Sequence, residues 1–122
     1  MNYILIVDDD QNSRKILSGY IVIAGGSTLE AQNADEAQAL IGTPNLKGAI
    51  VDLRIPKRDG WAILHDIQRL QPRLPVIAIS GYAEPELFPV ARAEGFIALY
   101  PKPLSEKLAD DLISQLSELL NH

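Results

Sequence analysis

Cysteine is absent from the 122-residue chain, and histidine occurs only twice. Without cysteine the chain can form neither a disulfide framework nor a thiolate zinc site. That composition is typical of a protein in a reducing cytosol, so we expect a cytoplasmic location. His65 and His122 have no second ligand at metal-binding spacing, which argues against a histidine metal site and against a histidine phosphotransfer module.

The chain also lacks an excess of positive charge and lacks long apolar runs. Its formal net charge of -5 argues against direct binding of nucleic acid. Every apolar run is far shorter than the ~20 residues of a membrane span. The N-terminal segment MNYILIVDDD has no basic stretch of the kind that opens a signal peptide. We therefore expect no membrane partner, and a single domain over residues 1–122 with no output domain.

What the sequence does contain is a regular alternation of two patterns. Short β-branched apolar runs such as Tyr3-Ile4-Leu5-Ile6-Val7 are typical of strands buried on both faces. Between them lie longer segments with helical spacing of apolar residues, such as Ile63, Leu64, Ile67 and Leu70. The strand-helix pair occurs five times, which predicts an α/β fold with a parallel, doubly wound sheet of five strands.

Polar residues stand where four of these predicted strands end. Asp8 and Asp9 follow the first strand, Asp52 ends the third, Ser80 ends the fourth, and Lys102 follows the fifth. In open parallel sheets the ligand crevice lies outside the carboxyl ends of the strands. We therefore expect these five side chains to meet at one edge of the sheet.

The chemistry of this set favours phosphoryl transfer. Three carboxylates in one crevice need a counter-charge, and Mg2+ is the cation that fits carboxylate and phosphate oxygens best. Lys102 supplies a compact cation for a second anion, and Ser80 supplies a hydroxyl donor. A carboxylate that is not needed for the metal can act as a nucleophile and form an aspartyl phosphate.

Two alternatives compete with a switch that is phosphorylated at Asp52. In one, Asp8 is the nucleophile and Asp10 the acid of a small aspartyl-phosphate phosphatase, since D-x-D after a strand resembles the haloacid dehalogenase phosphatases. Those enzymes carry a further acidic motif after their lysine. The late acidic pair of this chain, Asp110-Asp111, falls on the leucine-striped last helix, so we expect it to lie away from the sheet edge where the other acids meet. The other alternative is a protein-binding scaffold that is never phosphorylated, and the complete acid, hydroxyl and lysine set argues against it.

Four segments in order resemble the receiver domain of bacterial two-component response regulators. They are ILIVDDD, IVDLRIPKRDGW, VIAISGY and YPKPL, and the likeness extends from Met1 into the last helix. The resemblance implies a flavodoxin-like sheet with strand order 2-1-3-4-5. It also implies a cytoplasmic switch that promotes only its own phosphorylation and dephosphorylation, and is not a turnover enzyme.

The resemblance also implies a role for each residue of the set. Asp52 becomes the phosphoacceptor, and Ser80 and Lys102 contact the phosphoryl oxygens. The implied Mg2+ ligands are Asp8, Asp9, Asp52 and the backbone carbonyl of Arg54. A cis peptide is expected at Lys102-Pro103. The implied partners are a sensor histidine kinase or a histidine phosphotransfer protein as the phosphohistidine donor, and a downstream protein target.

Two features depart from the family pattern. The family often has an aromatic residue three positions before the lysine, where this chain has Leu99, and its aromatic, Tyr100, comes one position later. Because strand side chains alternate, we expect Tyr100 to point away from Leu99. Pro85 and Pro89 also lie in the region of the fourth helix, so we expect residues 82–89 to be irregular and regular helix to begin near Pro89.

Overall fold

The computed structural model describes residues 1–54, 60–81 and 85–121. In these ranges five strands and five helices alternate. The strands are β1 (Tyr3–Val7), β2 (Ser27–Ala31), β3 (Leu46–Asp52), β4 (Val76–Ser80) and β5 (Ala98–Pro101). The helices are α1 (Gln11–Ile23), α2 (Ala34–Leu40), α3 (Gly60–Leu70), α4 (Leu87–Glu94) and α5 (Glu106–Leu120). Within these described ranges, no helix is long and apolar enough to cross a membrane.

All five strands are parallel, in the order β2-β1-β3-β4-β5. This order confirms the predicted doubly wound sheet. The register aligns the strand ends, since Val7 is opposite Val51 and Ser80 is opposite Pro101. The residues that follow these positions are therefore brought to the same edge of the sheet.

The sheet separates two apolar cores, because successive strand residues face opposite sides. Leu5, Val7 and Leu99 belong to the core beneath α2, α3 and α4, whereas Ile6 and Tyr100 belong to the core beneath α1 and α5. The buried helical residues of the first core are Ala34, Ala37, Ile63, Leu64, Ile67 and Ala91. Those of the second are Leu17, Ile21, Leu112, Leu116 and Leu120. Burial on both faces explains why β1 and most of β4 are continuously apolar.

The first helix begins at a side-chain cap. Asp10 has an extended backbone, and its carboxylate accepts a hydrogen bond from the N–H of Asn12 at 3.0 Å. A capping aspartate satisfies an N–H that has no partner within the helix. The third acid of the VDDD segment therefore serves the helix.

The fourth helix begins at Leu87, so the prediction that it starts near Pro89 is wrong by two residues. Pro85 and Glu86 form a turn before it, and residues 82–84 of the segment expected to be irregular lie outside the described residues. Pro89 is the third residue of α4. Backbone N–H groups in the first helical turn have no intrahelical acceptor, so a proline there removes no hydrogen bond.

The fifth strand begins at Ala98, two residues later than the apolar run from Phe96 suggests. Gly95 has a φ of 123°, and the N–H of Phe96 donates to the carbonyl of Ala91 at 3.0 Å. The chain changes direction at Gly95, and this ends α4. The N–H groups of Gly95 and Phe96 donate to carbonyls of the last helical turn, which have no partner further along the helix. Phe96 therefore belongs to the helix terminus, and its buried ring packs edge-on against Trp61 with the ring centroids 5.5 Å apart.

Candidate functional site

Three acidic side chains converge at the carboxyl edge of the sheet. Ligand oxygens of Asp8, Asp9 and Asp52 all lie within 4.8 Å of one another. Asp8 is fully buried and Asp52 is 4% exposed, whereas Asp9 faces solvent. Three carboxylates at this spacing form a set of hard oxygen donors suited to a divalent cation such as Mg2+.

Lys102 joins two of these acids. Its Nζ lies 2.8 Å from Oδ2 of Asp8 and 2.9 Å from Oδ2 of Asp52. Burial, the largest single effect, lowers the pKa of Lys102, but hydrogen bonds and charge attraction from the two carboxylates outweigh it and raise the pKa overall. The ammonium therefore stays charged, and it is shared between two anions.

Asp52 ends β3 and is held at both oxygens. Its Oδ1 accepts the N–H of Arg54 at 2.9 Å, and its Oδ2 accepts from Lys102. Burial raises the pKa of Asp52, although the N–H of Arg54 and the ammonium of Lys102 oppose this effect. With one ammonium between two buried carboxylates, this part of the site has an excess of negative charge.

The Asp8 carboxylate is likewise held at both oxygens. Oδ1 accepts the backbone N–H of Asp10 at 2.9 Å. Oδ2 accepts the hydroxyl of Ser13 at 2.6 Å in addition to the ammonium of Lys102. A buried carboxylate needs this many donors, because each unsatisfied oxygen would lose hydration without replacement.

Arg14 holds the backbone of the same acid. Its Nη1 donates to the carbonyl of Asp8 at 2.7 Å, while its Nε lies 3.1 Å from Oε1 of Glu30 on β2. Sequence reasoning missed both Ser13 and Arg14. Their only signal is that they occupy the first turn of the helix that follows Asp8, a position from which side chains can reach back to the strand end.

Ser80 and Lys102 lie on adjacent segments at the same edge. Ser80 is buried at the end of β4, and its carbonyl accepts the backbone N–H of Lys102 at 2.9 Å. The Lys102-Pro103 peptide is cis, as expected. The structure thus brings all five polar residues predicted from the strand ends to one edge of the sheet, together with Arg54 next to Asp52.

Gly60 lies against the backbone of the central acid. A Cβ at this position would be 2.6 Å from the carbonyl oxygen of Asp52 and 2.7 Å from Cα of Leu53. The N–H of Gly60 also donates to the carbonyl of Leu53 at 3.1 Å. Such distances are too short for any side chain, so the first residue of α3 has to be glycine for Asp52 to keep this position.

Other candidate residues lie away from this region. The Asp10 side chain caps α1, and Asp110 and Asp111 are exposed on α5. His65 is exposed on α3, where its Nε2 lies 3.2 Å from Oε2 of Glu94. None of these groups belongs to the cluster formed by Asp8, Asp9 and Asp52 in the described part of the chain.

Known proteins resemble this chain in sequence. The family model for the response regulator receiver domain matches residues 4–114. A response regulator receiver protein from Anaeromyxobacter sp. is 29% identical over 105 residues, covering 86% of this chain and 44% of the relative. The regulatory protein AtoC from Escherichia coli is 36% identical over 86 residues, covering 70% of this chain and 19% of that protein. The chain thus spans less than half the length of these curated relatives.

Solved structures resemble it over nearly the whole chain. The receiver domain of NtrX from Brucella abortus has a TM-score of 0.84 and 32% identity, covering 97% of this chain and 98% of that one. The receiver domain of the Francisella response regulator 1452 has a TM-score of 0.85 and 26% identity, with 99% and 98% coverage. With its parallel sheet, its acidic cluster and its lysine at the strand ends, this chain belongs to the family of response regulator receiver domains, the phosphoacceptor switches of two-component signalling.

Proposed function

We propose that Asp52 is the residue that accepts the phosphoryl group. The observation that carries this proposal is the position of its carboxylate, which ends the central strand β3 beside Asp8, Asp9 and Lys102. Its oxygens are held by an N–H and an ammonium, so the nucleophile is oriented before the donor arrives.

The proposed reaction is an attack of an Asp52 oxygen on the phosphorus of a phosphohistidine. The new O–P bond forms as the P–N bond breaks, and the electron pair of that bond returns to the imidazole nitrogen, which takes up a proton. The product is an acyl phosphate on Asp52. The donor is a sensor histidine kinase or a histidine phosphotransfer protein. Ser80 and Lys102 donate hydrogen bonds to the phosphoryl oxygens.

The acidic set fits Mg2+ because all its donors are hard oxygen atoms. Asp8, Asp9, Asp52 and the backbone carbonyl of Arg54 are the groups that would hold the ion. When bound, Mg2+ supplies positive charge that stabilises the phosphoryl oxygens. The excess of negative charge around Lys102 favours this additional cation.

Phosphorylation would act as a switch through Lys102 and Ser80. A phosphoryl group adds negative charge and strong acceptors, so it competes with Asp8 for the ammonium of Lys102. The carbonyl of Ser80 accepts the N–H of Lys102, so movement at one residue is passed to the other and to the adjoining ends of β4 and β5. The surface formed by α4 and β5 then changes its affinity for a downstream protein target. The chain promotes its own phosphorylation and dephosphorylation in the cytoplasm and has no separate substrate.

The structure gives less support to Asp8 as a phosphatase nucleophile. Asp8 is fully buried, and the acid that the phosphatase mechanism needs, Asp10, caps α1. A scaffold that is never phosphorylated would not need Lys102 between two carboxylates, since apolar residues of similar volume at these three positions would stabilise the fold as well as the buried ion pair does.

The test is labelling with acetyl phosphate in Mg2+, followed by intact-mass measurement. We expect the wild type to gain one hydroxylamine-labile phosphoryl group and Asp52→Asn to gain none. Asp10→Asn is the matched control, because asparagine keeps the helix cap, and it should label like the wild type. Labelling of Asp52→Asn but not of Asp8→Asn would instead identify Asp8 as the nucleophile, and no labelling of any variant would favour the scaffold.

A further inference from the structure

We propose that Ser13 is a positioning residue, whose hydroxyl holds the Asp8 carboxylate in the orientation that binds the divalent cation. This inference rests on the proposed function. Its basis is the short hydrogen bond from Oγ of Ser13 to Oδ2 of Asp8, 2.6 Å long. A hydrogen bond to a charged carboxylate at this distance is among the stronger ones in proteins.

Ser13 is needed because the ammonium of Lys102 is shared between several acceptors. Oδ2 of Asp8 accepts from both Ser13 and Lys102, and the same ammonium also holds Asp52. Once Lys102 turns to a phosphoryl oxygen, it leaves Asp8. Among the described residues, Ser13 is then the side-chain donor that remains on Oδ2, so the carboxylate keeps its orientation through the reaction.

Ser13 is itself well placed to act as a fixed support. It is the third residue of α1, whose first turn is capped by Asp10. The next residue, Arg14, donates to the carbonyl of Asp8 and is tied to Glu30. Two successive residues of α1 thus hold the side chain and the backbone of the same acid.

The surroundings of Ser13 allow a conservative test. Ser13 lines a surface cavity of about 310 Å³ together with Ile16, Tyr20 and Pro103. This space can receive the extra methyl group of threonine while the hydroxyl keeps its partner. Alanine removes the hydroxyl but is a better helix former than serine, so Ser13→Ala should preserve α1.

The experiment measures cation affinity directly. Mn2+ is titrated into wild type, Ser13→Ala and Ser13→Thr, free Mn2+ is followed by electron paramagnetic resonance, and Mg2+ is added as competitor. Hydrogen-bond partners of metal ligands change metal affinity by roughly 10- to 100-fold, so we expect Ser13→Ala to lose about tenfold and Ser13→Thr to recover most of it. Ser18→Ala is the matched control, because that hydroxyl, about one and a half helical turns after Ser13 on α1, donates to Thr28 on β2, and the variant should bind like the wild type.

Each result has a distinct meaning. Unchanged or tighter binding by Ser13→Ala overturns the inference, as does equal weakening in Ser13→Thr, which would indicate general damage to the helix. Failure of the wild type to bind Mn2+ and to become labelled by acetyl phosphate would count against the proposed function itself. A wild type that binds and labels while Ser13→Ala binds normally would refute only the role of Ser13.

Discussion

The phenolic O–H of Tyr100 donates a hydrogen bond to Oε1 of Gln115 across a distance of 2.8 Å. This contact places the aromatic ring of β5 on the α5 side of the sheet, in the core that lies beneath α1 and α5. The preceding residue, Leu99, packs into the opposite core. The expectation that the two side chains point in opposite directions is therefore confirmed, and Tyr100 has a fixed partner on a helix.

Tyr100→Phe should lower the free energy of unfolding by about 1 kcal/mol, because it removes one partly buried hydrogen bond and leaves the Gln115 amide to find another partner. Labelling by acetyl phosphate should not change, because the ring packs in the core beneath α1 and α5 and its O–H is bonded to Gln115, which is not a residue of the acidic site. Urea unfolding measures the first quantity and mass spectrometry the second. A strong loss of labelling would show that the ring takes part in the switch.

Lys102→Met should destabilise the protein by about 3 kcal/mol in the absence of divalent cations, because it leaves Asp8 and Asp52 buried without their counter-charge. Added Mg2+ should restore part of this loss, since a ligand that binds only the folded state stabilises it. Urea unfolding with and without Mg2+ tests both statements. The exposed Lys107→Met serves as the control and should change stability by no more than about 0.5 kcal/mol. Equal stability of Lys102→Met and wild type in chelator would contradict the prediction.

Gly60→Ala should cost about 2 kcal/mol of unfolding free energy and slow the labelling of Asp52. The new Cβ would meet backbone atoms of Asp52 and Leu53, which cannot move aside as a side chain can. Gly19→Ala is the matched control: apart from its chain neighbours and the backbone of its own helix, no atom of the described residues lies within 4 Å of the new Cβ, and alanine within a helix should stabilise by about 0.5–1 kcal/mol. Normal labelling of Gly60→Ala would show that the Asp52 backbone tolerates a shift.

Asp52→Asn should raise the midpoint temperature of thermal unfolding at about pH 7 when divalent cations are removed by a chelator. Burial raises the folded-state pKa of Asp52, so ionisation is harder in the folded chain and costs stability as the pH rises through that pKa. Below the ordinary carboxyl pKa of about 3.9 both states are protonated, and the difference between the variants should disappear. Differential scanning calorimetry across this pH range makes the comparison. A lower midpoint for Asp52→Asn near neutrality would show that attraction to Lys102 outweighs the cost of burial.

The sequence by itself determined the order of the elements and which residues end the strands. Runs such as Tyr3–Val7 and the acids after them are local patterns, because strand and helix periods depend on neighbours a few residues apart. The capping role of Asp10 and the opposite directions of Leu99 and Tyr100 are local in the same sense. For this reason the fold class and the positions of Asp8, Asp52 and Lys102 could be predicted.

Only the tertiary structure decided which groups touch these acids. The contact of Lys102 with Asp52 spans 50 positions, and the closeness of Gly60 to the backbone of Asp52 depends on how α3 packs against β3. Ser13 bears no local mark of its contact with Asp8, because a serine in a first helical turn is ordinary until the helix is placed over the strand end. Local periodicity determines where a segment begins and which face is apolar, whereas the partner of a buried charge is set by packing between segments distant in the chain.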